Sequence, residues 1–318
     1  MKIASVFMDV EDPVNPLADD AAGEIAALFS EAGVRGSFCL TGEKCRTLLT
    51  RGRFDVIEAL RPHCLGLHTD THSVHPTTME LLEDCDFEEG CERAYEAEKR
   101  GFDAFSAAFG RPPAFWGGAG NTWSPEITEA LKRLGISACS YALTFAGGRI
   151  HRFNGVTALP QHLSISEDDW ADDERADARS ERAFGSLHDD WTGLFVGHPT
   201  RMRYAEFWDK SSAGGQMPET PEFVEPVEDA VYERSKRNLR SFLSRLKEVV
   251  RIVGVDEIPP MRFEKPTAEE LDGFRRETAR ALREAVGWPI HRPGLDASRI
   301  VDKTLALAAT LEIGRQFV

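Results

Sequence analysis

The chain lacks the features that mark several common classes of protein. No stretch of its 318 residues approaches the roughly 18 consecutive apolar residues of a membrane-spanning helix. Basic residues are outnumbered, because 38 Lys and Arg stand against 53 Asp and Glu, a formal net charge of −15. A surface this acidic repels phosphate groups, so we expect neither nucleic acid nor a membrane as a partner.

Cysteine pairs with metal-ligand spacing are also absent. No two of the six cysteines are separated by only two residues, so a zinc site built on thiolates is not expected. The N-terminal apolar run reaches Asp9 too soon for a signal peptide. We therefore expect a cytoplasmic protein whose cysteines are free, mostly buried thiols.

Short apolar segments alternate with helical patterns along the first part of the chain. Residues 2–8, 34–40 and 65–67 are typical of buried strands, and amphipathic helices separate them. This alternation predicts a parallel sheet, either open or closed into a barrel. Residues 167–182 are crowded with charges, which is typical of a solvated helix or loop.

The length exceeds the roughly 250 residues that one α/β barrel needs. The pair Pro259-Pro260 marks a boundary, and helical patterns follow it at residues 268–286 and 298–311. We expect a barrel over residues 1–260 and a C-terminal helical extension over residues 261–318.

Two acidic residues follow the first predicted strand. Asp9 and Glu11 lie two positions apart, so in extended backbone their side chains point the same way. Ligands and catalytic groups favour this edge of an α/β sheet. The alternative is a turn or helix cap before Pro13.

Two histidines four residues apart follow another predicted strand. The segment is His-Thr-Asp-Thr-His at residues 68–72, and its threonines and Pro76 argue against an exposed helix. Two imidazoles and a carboxylate from elsewhere would hold a metal and leave positions open for water. His68 and His72 are therefore candidate ligands, with a pair of surface histidines as the alternative. We interpret His75 as a bystander, since two histidines and one carboxylate already make a catalytic site.

His198 stands between a buried apolar strand and Pro199. An imidazole near its ordinary pKa both holds and releases a proton, which suits a general acid. A core histidine bonded to backbone is the alternative.

A glycine-rich loop follows the predicted strand at residues 114–116. Its glycines would let the backbone approach a ligand, and two indoles nearby offer flat faces for a sugar ring. The candidate substrate-binding residues are Trp116, Gly118, Asn121 and Trp123, with a simple turn as the alternative.

Taken in order, these segments resemble the polysaccharide deacetylase family, the NodB-homology superfamily of metal-dependent N- and O-deacetylases, over about residues 1–260. Phe-Met-Asp-Val-Glu-Asp-Pro at residues 7–13 is similar to the first motif, in its Asp-Val-Glu-Asp variant. Ser-Phe-Cys-Leu-Thr-Gly at residues 37–42 resembles the second strand of the family. His68 and His72 match the His-Ser/Thr-x-x-His motif without a gap.

Two further segments extend the resemblance. Residues 113–116 and 134–136 occupy the place of the third motif, and Leu-Phe-Val-Gly-His-Pro at residues 194–199 resembles the fifth. The resemblance implies a distorted (β/α) barrel.

The resemblance also implies roles for particular residues. Asp9 would be the general base, His198 the general acid, and His68 and His72 metal ligands. The usual neighbouring Asp is replaced by Val10, so Glu11 is the expected third ligand, with Asp12 as the second choice.

The chain departs from the family pattern in two places. Trp116 and Gly117 stand where the third motif supplies an Arg that orients the base; Arg111, Arg149 or Arg201 would have to reach in instead. The fourth motif, an Asp near Trp that tunes the acid histidine, has two echoes, at residues 168–170 and 189–191.

The expected function is metal-dependent hydrolysis of an acylated amine, most simply an N-acetylated sugar. The expected cofactor is a divalent metal, zinc first, with cobalt, nickel or manganese as alternatives. The expected partner is a small-molecule or oligosaccharide substrate, and the sequence is compatible with a homo-oligomer. The rival functions are hydrolysis of non-sugar C–N bonds, as in cyclic imides or ureides, and carbohydrate binding by a catalytically impaired member.

Overall fold

A computed structural model describes residues 2–141, 148–209 and 223–318. The strands are β1 (Ile3–Val10), β2 (Ser37–Leu40), β3 (Cys64–Leu67), β4 (Phe115–Gly117), β5 (Ala138–Tyr141), β6 (His151–Phe153), β7 (Val156–Pro160), β8 (Leu163–Ser164), β9 (Trp191–Phe195), β10 (Arg251–Ile252), β11 (Met261–Glu264) and β12 (Glu312–Phe317). The helices are α1 (Leu17–Glu31), α2 (Gly42–Thr50), α3 (Phe54–Leu60), α4 (Thr78–Leu82), α5 (Phe87–Phe109), α6 (Glu126–Arg133), α7 (Glu167–Trp170), α8 (Asp173–Gly185), α9 (Pro199–Arg203), α10 (Asp229–Val249), α11 (Ala268–Ala285) and α12 (Ser298–Ala306).

The sheet is built around β1, which is buried along almost its whole length. Strands β2, β3, β4 and β5 follow on one side of β1 and β9 and β8 on the other, all parallel. Helices cover such sheets, which explains why β1, β2, β3, β4 and β9 are buried along most of their length. The parallel order brings the carboxyl ends of β1, β3 and β9 to one edge.

The sheet curls into a barrel-like α/β structure, which confirms the predicted fold class at that level. Its strand order is β11-β12-β6-β7-β5-β4-β3-β2-β1-β9-β8, with β10 paired to β1 outside this path. Within the described ranges the two end strands, β8 and β11, do not pair with each other. The sheet is therefore a half-barrel with an open side.

The C-terminal segment, predicted as a helical extension, also contributes strands to the sheet. Besides α11 and α12 it contains β11 and β12, and β12 joins the sheet antiparallel to β6, with Glu312 opposite Arg152. Apolar residues of this segment, among them Phe274, Leu282 and Ile300, belong to the main hydrophobic core. The pairing of β12 with β6 joins positions about 160 residues apart, so no local sequence pattern predicts it.

Two further expectations concern cysteines and membrane spans. All six cysteines are free, and five of them are buried. In the part of the chain that the structure describes, no helix is long and apolar enough to cross a lipid bilayer.

Candidate active site

Asp9 and Glu11 lie at the carboxyl end of the central strand. Asp9 pairs with Cys39 in the register of β1 and β2, and Glu11 follows the last residue of β1. The alternation of side chains along extended backbone turns both carboxylates the same way. The Glu11 side chain is only 1% exposed, so its charge is removed from water.

His68 and His72 lie on the loop that follows β3. Thr69 and His72 adopt positive φ angles of 59° and 54°, so the pair is carried by a tight loop and not by a helix. The His68 ring donates through Nδ1 to the Gly117 carbonyl at 3.1 Å. Because a carbonyl only accepts, this bond fixes the proton on Nδ1 and leaves Nε2 free as a ligand atom.

Glu11, His68 and His72 converge on one point. Glu11 Oε2 is 2.9 Å from His72 Nε2 and 3.4 Å from His68 Nε2. Both carboxylate oxygens and His68 Nε2 are buried, and among the described residues none of them makes a contact with the geometry of a hydrogen bond, the close contact to His72 included. Buried polar atoms are rarely left unpartnered in folded proteins, and one carboxylate with two imidazoles is a common donor set for divalent metals. The three side chains therefore fit a divalent cation.

The charges in the cluster stabilise one another. Burial alone would raise the pKa of Glu11, but His72, His198 and His68 hold it well below its usual range. Burial alone would lower the pKa of His68, but Asp9 and Glu11 raise it. Glu11 therefore stays ionised, as a metal ligand must.

Asp12, the second choice for the third ligand, has a different position. Its carboxylate accepts from the backbone N–H groups of Val14 and Asn15 at 2.9 and 3.0 Å, and from the Thr200 hydroxyl at 2.6 Å. These bonds organise the turn before α1. Asp12 thus makes the local turn that the sequence offered as the alternative for this acidic segment, and Glu11 faces the histidines.

Asp9 stands beside this cluster, and no arginine within the described ranges forms an ion pair with it. Its Oδ2 lies 3.6 Å from His68 Nε2, and burial raises the pKa of its carboxyl although His68 and neighbouring histidines lower it. None of the three arginines considered from the sequence reaches it. Arg111 donates to two backbone carbonyls, Arg149 pairs with Glu270, and Arg201 donates to a backbone carbonyl at 2.6 Å.

His198 is placed by backbone pairing that continues past β9. Val196 donates to the Phe7 carbonyl at 3.0 Å, and Asp9 donates to the Gly197 carbonyl at 3.3 Å. This pairing brings His198 Nε2 to 3.8 Å from Glu11 Oε2. His198 therefore faces the same cluster as Asp9.

Glu167 is a site residue that the sequence analysis missed. Its Oε1 accepts from both the backbone N–H and the Nδ1 of His198, each at 2.6 Å. Burial alone would lower the pKa of His198, but Glu11, Glu167 and Asp9 raise it to about 10. Glu167, the partner of His198, thus immediately precedes residues 168–170, one of the two segments that resemble the fourth motif. A carboxylate close before a Trp is the signal that could have found it.

The segment expected to be solvated is therefore partly buried. It forms α7 and α8, and Asp169 is buried while it accepts from Arg175 and Arg179.

Gly197 leaves space for the Glu167 side chain. Its φ is +99°, and a Cβ there would lie 2.6 Å from the Glu167 carboxylate. Only glycine adopts this conformation easily and leaves that space.

A cavity of about 420 Å³ opens onto these groups. It is lined by Asp9, Glu11, His68, His72, Ser73, His75, Gly120, His198, Phe207, Asp209, Trp288, Pro289 and Ile290. The last three come from the loop between α11 and α12, far from the other lining residues in sequence. The cavity therefore combines a charged floor with an apolar wall from the C-terminal segment.

The candidate substrate-binding residues lie mostly away from this cavity. Trp116 and Trp123 are buried in the core, and the Trp116 indole donates to Glu98 at 2.9 Å. Gly118 donates to the Ser140 carbonyl at 3.1 Å and does not line the cavity. The side chain of Asn121 lies outside the described residues. Both indoles pack in the core. The sequence pattern did not distinguish this packing role from contact with a sugar ring.

No protein-family profile matches the chain, and no curated protein is significantly similar to it in sequence. Solved structures do match. A protein from Mycobacterium smegmatis assigned to the polysaccharide deacetylases has a TM-score of 0.50 at 14% identity, over 83% of this chain and 94% of that one. The chain has the fold of the polysaccharide deacetylases.

Two other solved structures are similar to this deacetylase fold. A polysaccharide deacetylase from Bacillus cereus has a TM-score of 0.45 at 13% identity, over 82% of this chain and 96% of that one. A CE4 family pseudoenzyme from Bacillus anthracis has a TM-score of 0.48 at 12% identity, over 81% of this chain and 65% of that one. At identities this low the likeness is one of fold. The resemblance seen in the sequence motifs is confirmed at this level.

Proposed function

We propose that the chain is a metal-dependent hydrolase that removes an acyl group, most simply N-acetyl, from an amino sugar. The observation that supports this most directly is the convergence of Glu11, His68 and His72 beside Asp9 and His198 in one cavity. Hydrolytic metal sites combine a set of metal ligands with a neighbouring carboxylate and imidazole that can act as base and acid.

Glu11 Oε2, His68 Nε2 and His72 Nε2 would hold the cation. Bound there, a divalent metal such as zinc supplies Lewis acidity and lowers the pKa of a coordinated water. Cobalt, nickel and manganese suit the same donors, so the proposal names zinc first without excluding them.

Asp9 is proposed as the general base. Its carboxylate lies at the edge of the donor triad, and burial raises its pKa, which makes it a stronger proton acceptor than a solvated aspartate. It would take the proton of the attacking water while Glu11 remains an ionised ligand. The two carboxylates, two residues apart, thus have different tasks.

His198 is proposed as the general acid. Glu167 fixes its Nδ1–H and leaves Nε2 directed at the cluster, and the surrounding carboxylates keep the ring protonated. That proton would pass from Nε2 to the leaving amine as the C–N bond breaks.

Hydrolysis of a non-sugar C–N bond, as in a cyclic imide or ureide, is the second candidate. Two observations favour it: the three arginines considered above are bonded elsewhere, and Phe207, Trp288, Pro289 and Ile290 give the cavity an apolar wall. Both candidates use the same metal, base and acid and differ in the substrate.

Release of acetate from N-acetylglucosamine by zinc-loaded protein, compared with ring opening of hydantoin and succinimide, tests these candidates. Asp9→Asn and His198→Ala should each lower turnover by about 10²- to 10⁴-fold. His188→Ala, which changes an exposed histidine, is the matched control and should retain full activity. Wild-type protein that binds zinc and hydrolyses none of these compounds would contradict the proposal and favour a carbohydrate-binding protein.

A further inference from the structure

Trp288, Pro289 and Ile290, hereafter the C-terminal wall, lie between α11 and α12 and line the same cavity as Asp9 and Glu11. We infer that the C-terminal wall is the substrate-specificity element of this site and that it selects a monosaccharide-sized substrate with an apolar ring face. The inference rests on the proposed function, because it concerns the substrate of that same cavity.

The C-terminal wall is fastened to the metal-binding side of the site. Arg292 donates through its backbone N–H to Glu80 at 2.5 Å, and its guanidinium pairs with Glu83. His291 Nδ1 and the Thr77 hydroxyl are hydrogen-bonded at 2.9 Å. Residues 291–292 are thus held against α4 and its N-terminal cap.

Glu80 connects these contacts to the cavity. The same carboxylate accepts from His75 Nδ1 at 2.6 Å and from the Thr77 backbone at 2.9 Å. His75 lines the cavity three residues after His72. A buried carboxylate with partners from both segments therefore fixes the C-terminal wall relative to the loop that carries the histidines.

Ile290 fastens the wall on a second side. Gly120, in the loop after β4, has φ +52°, and a Cβ built there would overlap the Ile290 side chain. The bare Cα is therefore covered by Ile290. Anchored at α4 and at Gly120, the wall is preorganised, so a substrate that packs on it loses little to ordering the loop.

Trp288 is the part of the wall that is open to a ligand. The residue is 45% exposed, and of the exposed large apolar residues in the described ranges it alone lines this cavity. An indole presents a rigid apolar face together with one polar N–H, which suits contact with the C–H face of a sugar or imide ring. With Pro289 and Ile290 it forms a contiguous apolar side of the cavity next to the charged groups, an arrangement that suits a ligand with one apolar face.

The remaining lining gives the size and polarity of the substrate. A volume of about 420 Å³ is within the usual range for small-molecule sites. The Phe207 ring contacts His198 edge-on at 4.9 Å between centroids, and the buried Ser73 hydroxyl has no partner among the described residues. A single polar ring with one apolar face matches these surroundings better than an extended polymer does.

The test compares Trp288→Ala and Trp288→Phe with Phe54→Ala, which removes an exposed aromatic ring outside the site. Zinc-loaded full-length proteins are assayed for acetate release and for calorimetric binding with N-acetylglucosamine and its β-1,4-linked tetramer. We expect Trp288→Ala to raise KM and Kd for the monosaccharide at least tenfold with kcat and zinc content unchanged. Trp288→Phe should be intermediate, and Phe54→Ala should match the wild type.

The outcomes separate this inference from the proposed function. Acetate release with an unchanged KM in Trp288→Ala, or a higher kcat/KM for the tetramer, would overturn the inference and leave the deacetylase function standing. Binding that needs Trp288 but leads to no acetate release would support the role of the C-terminal wall and reject deacetylation. Neither binding nor release would overturn both.

Discussion

Glu167 shows how one side chain sets the orientation of His198, the proposed general acid. Its carboxylate accepts both the backbone N–H and the Nδ1–H of His198, so it fixes the ring and leaves Nε2 toward the cluster. We expect Glu167→Gln to lower kcat by about 10- to 100-fold with little change in KM, because the amide keeps an acceptor but loses the charge.

The matched control for Glu167→Gln is Asp168→Asn, which changes a solvent-exposed neighbour. Steady-state kinetics of both variants with the best substrate give kcat and KM separately. Equal losses in the two variants, or a loss confined to KM, would contradict the positioning role of Glu167.

Glu98 on α5 is predicted to make stability depend on pH. Burial raises the pKa of its carboxyl to about 8, although the bond from Trp116 opposes this, and the unfolded value is near 4.5. Between these pH values the folded state keeps a proton that the unfolded state releases, so the free energy of unfolding falls as pH rises. Because one pKa unit is worth about 1.4 kcal/mol, Glu98 should remove a few kcal/mol of stability between pH 5 and 8.

Glu98→Gln removes this titration and keeps an acceptor for the Trp116 indole. Urea unfolding of both proteins at pH 5 and pH 8 gives the difference attributable to Glu98. The variant should lose less stability over this interval than the wild type does. An equal loss would show that Glu98 is ionised throughout.

Among the helices, α4 and its N-terminal cap hold the C-terminal wall in place. Glu80→Ala removes bonds to His75, Thr77 and Arg292 and should cost about 1–3 kcal/mol of stability. Asp84→Ala is the matched control, since its exposed pair with Arg93 should be worth less than about 1 kcal/mol. Thermal or urea unfolding measures the loss of stability in both variants. A loss in Glu80→Ala no larger than that in Asp84→Ala would contradict the role of Glu80 in attaching the C-terminal wall to α4.

The elements also show what sequence can and cannot predict here. The strand at residues 3–10, the two candidate ligand histidines and His198 follow local rules, because apolar runs end in polar groups at the sheet edge. The position of Glu167 depends on its contact with His198, which lies 31 residues further along the chain. The position of the C-terminal wall depends on the contact between Arg292 and Glu80, which are more than 200 residues apart. Such contacts leave no periodic signal, and a carboxylate in a highly charged segment looks solvated until the fold buries it.

At the scale of the whole molecule, the C-terminal segment and the barrel-like part share one core. Phe274, Ile300 and Leu311 are buried in the main apolar cluster, and β12 pairs with β6. A fragment of residues 1–260 would expose this surface. We therefore expect the fragment to aggregate or to unfold without a cooperative transition, as shown by size-exclusion chromatography and thermal melting. A monomeric fragment that melts cooperatively would show that the boundary at residue 260 separates two independent domains.

We propose that Glu11, His68 and His72 hold one divalent metal ion. Elemental analysis of untagged protein, dialysed after zinc loading, tests it most directly. We expect about one zinc per chain in the wild type and in His75→Ala, whose ring is bonded to Glu80, and a loss of metal in the double variant His68→Ala with His72→Ala. Equal zinc content in all three proteins, or none in the wild type, would contradict this proposed metal site.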